Sequence, residues 1–172
     1  MKRTLLGITT AAALLALAGA AFAQGNPRGK TELTVKGATI TIDYGRPSLH
    51  GRTVEEMLAT LPVGGFWRLG ADSSTTFTTS GDLMFGSTKV PKGVYSLWAE
   101  KGSDNSWKLV FNTQHGQWGT QHNPKLDAYK VPLKESKADK SAEEVSINLA
   151  KAGSGGMVTI EWGNMKLDTN FE

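Results

Sequence analysis

The chain has 172 residues, 39% of them hydrophobic, with 19 basic against 16 acidic side chains and no cysteine. The absence of thiols excludes disulfides, thiolate metal sites, a cysteine nucleophile and a lipid-bearing cysteine, so packing has to stabilise the fold. The net charge of +3 counts Lys2 and Arg3; without them 17 basic residues face 16 acidic ones, which leaves no polyanion-binding footprint and no expectation of a nucleic-acid partner.

The first 23 residues have the parts of a secretory signal. A basic start at Lys2 and Arg3 precedes an apolar run from Leu5 to Leu17, and Ala21-Phe22-Ala23 offers the small residues that signal peptidase requires, which places the cut after Ala23. The alternative, an uncleaved anchor, fits less well because the run is Ala-rich and ends in a processing site. No later stretch is apolar enough to span a bilayer. The expected product is soluble and periplasmic or extracellular, with a flexible start at 24–30 and one domain over 31–172.

Leu33 and Val35, then Ile40, Ile42 and Tyr44, alternate with polar residues and predict two strands joined near Gly37. Thr53 and Glu56 form a capping box ahead of Val54, Met57, Leu58 and Leu61 at helical spacing, which predicts a short amphipathic helix ending at Pro62. Strands are then expected at 66–69, 75–79, 83–85, 94–100 and 107–112. Pro91-Lys92-Gly93 and Gly102–Asn105 are suited to turns between adjacent antiparallel strands. By composition 112–125 and the mixed-charge 134–144 read as loops. Val145–Leu149, Val158–Trp162 and Met165–Leu167, separated by Gly153–Gly156 and a Gly163-Asn164 turn, predict a closing meander. The fold class is all-β: an antiparallel β-sandwich, of jelly-roll type as one form and a closed barrel as the other choice, with one short helix.

Tyr44-Gly45-Arg46-Pro47-Ser48 with Gly51-Arg52, Phe66–Ala71, Thr75-Thr76-Phe77, Pro91–Leu97 and Gly116-Gln117-Trp118-Gly119 occur in this order. Together they resemble DUF2911, a bacterial family of exported proteins of unknown function, from about Thr31 to the C-terminus. The resemblance implies no activity. The family pattern has an amide and then an acid where this chain has Asp72-Ser73, and position 115 is not usually His.

Arg46, His50 and Arg52 flank Pro47-Ser48, and Arg68 follows Trp67. Their guanidinium forks suit a carboxylate or phosphate ligand. The alternative is an internal pair of Arg46 or Arg68 with Asp43 or Asp72 that pins the loop to the sheet. Gln117 and Trp118, with His115, His122 and Asn123 around them, combine an aromatic plate with amides, as sugar- and peptide-binding loops do; the other reading has Trp118 tucked over the end of the sheet as an anchor. His115, His122 and Asp127 are possible metal ligands by type, without a known signature spacing. No G-x-S-x-G elbow is present, and Ser48 with His50 is only a sequence neighbourhood.

The reading these features support is a non-catalytic module that binds a small molecule, glycan or peptide around Arg46, Arg68, Asp72, Gln117 and Trp118, with no cofactor. A metal-dependent or hydrolase-like envelope enzyme is the second reading, and a structural or assembly partner of the envelope the third.

Overall fold

A computed structural model describes residues 25–104 and 106–172. The expected signal peptide and its cut after Ala23 lie outside the described residues. Twelve elements run β1 (Arg28–Val35), β2 (Ala38–Gly45), α1 (Val54–Leu58), β3 (Phe66–Trp67), β4 (Thr76–Thr79), β5 (Leu83–Phe85), β6 (Thr88–Val90), β7 (Gly93–Lys101), β8 (Trp107–Asn112), a 3-10 turn (Pro124–Leu126), β9 (Asp127–Ala152) and β10 (Gly155–Phe171). The antiparallel all-β expectation is borne out.

The β1–β2 hairpin turns on Lys36 and Gly37, both at positive φ (49° and 81°), the geometry that matches the natural twist of two antiparallel strands. Along β2, Ile40 and Ile42 are fully buried and Tyr44 nearly so, while Thr39, Thr41 and Asp43 keep partial exposure. Period-two alternation therefore buries one face, as the pattern requires. Pairing continues in the order β1-β2-β4-β7-β8-β9-β10, with β3 alongside β7 beyond β4.

This one sheet curls until it is nearly closed. The chain after β2 meets β9, where the Leu49 amide donates to the Glu143 carbonyl (2.9 Å) and the Val145 amide to the Pro47 carbonyl (3.1 Å). Further along β9 the Leu149 amide donates to the Thr31 hydroxyl of β1 (3.2 Å). The short β5–β6 ribbon joins the other end of the chain, since Met84 and Glu172 exchange two backbone hydrogen bonds.

Inside the curl, Phe111 is the centre of an aromatic group. It meets Phe77 edge-on at 5.2 Å and touches Phe85 and Tyr95. Trp67 stacks on Trp162 at 5.6 Å and meets Trp107 edge-on, filling the space beside α1. Full burial of each such side chain contributes roughly 1.5–3 kcal/mol relative to exposure.

The helix forms as its capping box predicts: Thr53 accepts from the Glu56 amide and Glu56 accepts from the Thr53 amide. It is one and a half turns long and docks by the buried Val54. Four expectations are corrected. Residues 134–144 are not a loop but the middle of β9, where Lys134–Lys137 pair with Met165–Asp168. Lys134, Glu135, Ser136 and Lys137 are all exposed although successive side chains alternate between faces, so both sides of this stretch reach solvent, while Ala138 is buried. Gly163-Asn164 is not a turn but an irregularity within continuous β10, where pairing shifts register. Pro91–Gly93 links β6 to β7, which do not pair: β6 pairs with β5, and β7 with β3, β4 and β8. Finally, Arg28–Lys30 belong to β1 and pair with Asp43–Gly45.

Among the described residues no helix is long and apolar enough to cross a membrane.

At the seam, Glu143 accepts from the Ser48 hydroxyl (2.5 Å) and the His50 amide (2.9 Å). These bonds, the Ser48 hydroxyl first, hold its carboxyl below the ordinary glutamate range. A depressed carboxyl pKa contributes stability above the unfolded value, and that stability is lost as pH falls through the folded value. Thermal melts between pH 7 and pH 3 are expected to show Glu143→Gln less stable than wild type at neutral pH, with the gap closing as the medium is acidified.

Candidate functional site

After β3 the backbone turns sharply. Leu69 and Asp72 both have positive φ (53° and 61°), a region that Asp and Asn tolerate better than most residues. An amide or an acid at position 72 both satisfy that backbone requirement. The turn is packed against the end of β2 so closely that a Cβ on Gly45 would sit 2.1 Å from the Ala71 carbonyl oxygen. Buried Thr75 donates its hydroxyl to the carbonyls of Leu69 (3.2 Å) and Arg68 (3.3 Å), which secures the turn from below.

A second segment lies along this turn. The Ser74 amide donates to the Gln117 carbonyl (2.9 Å) and the Gly119 amide to the Asp72 carbonyl (2.7 Å), with Ser73 opposite Trp118 in an antiparallel bridge. Residues 113–126 are therefore strapped over the outer face of β7 and β8. That face is buried: Ser96, Val110 and Asn112 have no exposure and Trp98 only 3%. Under the strap, Trp98 Nε1 donates to Ser96 Oγ (3.0 Å), and Gln117 Nε2 donates to the same oxygen (3.3 Å). Gln117 Oε1 is buried without a partner.

His122 descends into this layer. Its ring lies between Phe66 (4.2 Å) and Trp98 (4.4 Å). His122 Nε2 is 2.8 Å from Asp127 Oδ1, which also accepts from Asn112 Nδ2 (2.8 Å). The second Asp127 oxygen faces Lys130 at 3.9 Å, and Lys130 itself pairs with Glu100 at 2.8 Å. Asp127 is thus a buried carboxylate held by charge and donors, as burial requires.

The residues singled out from sequence separate into three groups. Arg68, Asp72, Gln117 and Trp118 come together on the two paired segments. Only Arg68 and Trp118 remain available there: Asp72 accepts from the Asn26 amide (2.7 Å) and side chain, and Gln117 points onto Ser96. Trp118 is 52% exposed, so it is not tucked over the sheet end. Arg46 is drawn away, with Nη2 3.0 Å from Glu144 and Nε donating to the Val145 carbonyl. It pins the seam, while Asp43 takes Arg28 instead. Of the possible metal ligands, His122 and Asp127 bond to each other and His115 is exposed; among the described residues no three His, Cys, Asp or Glu side chains gather. The Ser48 hydroxyl donates its hydrogen bond to Glu143 and makes none to the His50 ring.

Beside the strap an open cleft of about 470 Å³ runs between α1 and residues 119–122. Met57, Leu58 and Leu61 form one wall, Phe66, Trp98 and His122 the floor, and Arg68 with Gly119 and Thr120 the other side. Among the described residues the Arg68 guanidinium has no hydrogen-bond or ion-pair partner, and its stem runs beside Gly119. The sequence reading missed the cleft's Phe66, Trp98 and α1 residues. Trp98 carried the available signal, because it has the opposite parity to Tyr95, Leu97 and Ala99 and so had to be covered by another segment. A groove of about 710 Å³ on the far side of α1, lined by Glu55, Glu135 and Lys137 among others, has no aromatic lining, and Glu135 is already bonded to Trp107.

Gly45, Phe66–Ala71, Thr75 and Gly116–Gly119 thus meet at one end of the sheet. The model of the family described as "Protein of unknown function (DUF2911)" matches residues 26–171. The chain belongs to DUF2911. No curated protein and no solved structure matches it. The DUF2911 match covers every strand from β1 to β10.

Gly119 is the contact on which the strap depends, since a Cβ there would lie 2.7 Å from the Asp72 carbonyl oxygen. Gly119→Ala is expected to lower stability by about 1–3 kcal/mol, measured by urea unfolding, with Trp98 fluorescence shifting as its cover loosens.

Proposed function

We propose that this DUF2911 chain is an exported, non-catalytic binding module that takes a small molecule, glycan or peptide at the strapped end of its sheet. The observation that carries this reading is Arg68: a guanidinium without a partner among the described residues, standing over a cleft with an aromatic floor. By contrast, Arg28 and Arg46 each have a carboxylate beside them, and Arg52 donates to the Leu49 carbonyl. Clefts of a few hundred Å³ with a mostly apolar lining and few polar groups are the usual form of small-molecule sites. Export is supported by the basic start, apolar run and Ala21-Phe22-Ala23 of the first 23 residues.

One observation favours a hydrolase-like reading, the 2.8 Å contact between His122 and Asp127. A carboxylate that orients an imidazole is half of a nucleophilic device. The His122 ring here is packed against two aromatic rings at tilted angles, and among the described residues no hydroxyl is hydrogen-bonded to it. We therefore assign the pair to the support of the cleft floor.

A thermal-shift screen of glycans, short peptides and organic acids tests the binding reading. A ligand at a hundred times its dissociation constant stabilises by about 2.7 kcal/mol, roughly 5–10 °C for a chain of this size. At least one compound is expected to raise the melting temperature of the wild type, with the shift cut by half or more in Arg68→Ala. A panel without effect, or shifts unchanged in the variant, contradicts the reading.

A further inference from the structure

We infer that the cleft beside α1 takes an aromatic monocarboxylate, with its carboxylate on Arg68 and its ring against Phe66, which His122 and Trp98 back from beneath. The inference rests on the binding reading above and narrows it to one ligand class.

Charge selects a monoanion. Arg68 is the one permanently charged side chain lining the cleft. The neighbouring cation, Lys130, lies 5.5 Å from the Phe66 ring centroid but is held by Glu100 and Asp127. A phosphate dianion would need a second cation or a set of convergent amides to replace its hydration. A carboxylate needs one planar fork, which a single guanidinium supplies. Thr60 and Thr120 add only hydroxyls to the lining.

Shape and surface select a flat apolar body. The cleft is open along one side, so a ligand is held by stacking and contact area rather than by enclosure. Phe66 offers its half-buried ring at the floor, backed by His122 at 4.2 Å, which in turn lies 4.4 Å from the buried Trp98 (ring centroids). Aromatic surfaces reward a further ring beyond the area it covers, and Met57, Leu58 and Leu61 close over it from α1. The volume of about 470 Å³ suits one or two fused rings.

The site is also held ready. The Arg68 carbonyl is bonded by Thr75, its stem lies against Gly119, and His122 is fixed through Asp127 to Asn112. A preformed site loses less entropy on binding.

Isothermal titration of the full chain with benzoate, phenylacetate, indole-3-acetate and 2-naphthoate tests the inference, with 2-naphthamide and octanoate alongside. At least one aromatic acid is expected to bind, Arg68→Gln to weaken it roughly ten- to hundredfold, and 2-naphthamide and octanoate to bind more weakly than 2-naphthoate. Thr120→Trp, which fills the cleft from an exposed position and leaves Arg68 in place, is expected to abolish binding while the melting temperature is kept; it guards against an Arg68 variant that fails to fold. Binding of the acids unaffected by either variant overturns the inference. So does a screen in which glycans or peptides bind in an Arg68-dependent way and the aromatic acids do not, an outcome that leaves the binding reading standing. If nothing in either panel binds, both fall.

Discussion

The amide of Gly119 and the carbonyl of Asp72 meet at 2.7 Å, and the amide of Ser74 meets the carbonyl of Gln117 at 2.9 Å. These two bonds join segments more than forty residues apart in sequence and cover the outer face of a sheet that would otherwise present Trp98 to water. Buried backbone groups have to be paired, so each segment requires the other. The closeness of the approach leaves no room for a side chain at 119. Everything at this end of the molecule follows from that contact: the turn that carries Arg68, the projection of Trp118, and the depth to which His122 reaches.

The strap makes the central sheet wet on neither side at β7 and β8. Tyr95, Leu97 and Ala99 face the inner core, and Ser96 and Trp98 face the strap. The inner core is apolar and aromatic. The outer layer is mixed, with Asp127, Asn112, Ser96 and Gln117 buried or half-buried among rings and joined by hydrogen bonds. The bonds among His122, Asp127 and Asn112 fix the arrangement of the rings beneath the cleft, while Gln117 Oε1 stays buried without a partner.

Features set by neighbours in sequence were legible from it. The alternation of Ile40, Ile42 and Tyr44, the antiparallel adjacency of the strands before and after the turn that follows Lys101, and the Thr53–Glu56 capping box are local patterns with local causes. The failures are nonlocal. Residues 134–144 look like a loop because their charges suit water, but pairing with β10 satisfies the backbone at Lys134–Lys137 even where the side chains reach solvent. Gly163-Asn164 looks like a turn, yet β9 runs on alongside and makes it a shift of register. Arg46 was grouped with Arg68 because both adjoin turns; Glu144, almost a hundred residues away in sequence, separates them. In the candidate site, Arg68, Asp72, Gln117 and Trp118 were legible as loop residues of the right chemistry, whereas the cleft itself is formed by α1, β3 and β7 together and has no local signature.

The claim that the strap is a fixed second layer is tested most directly by amide hydrogen exchange of the full chain, resolved at single residues. The account predicts that the Ser74 and Gly119 amides exchange as slowly as strand amides such as Leu97, while Gly116, exposed at the bend of the same segment, exchanges fast. Exchange of Ser74 and Gly119 at the rate of Gly116, with Leu97 still protected, would contradict it.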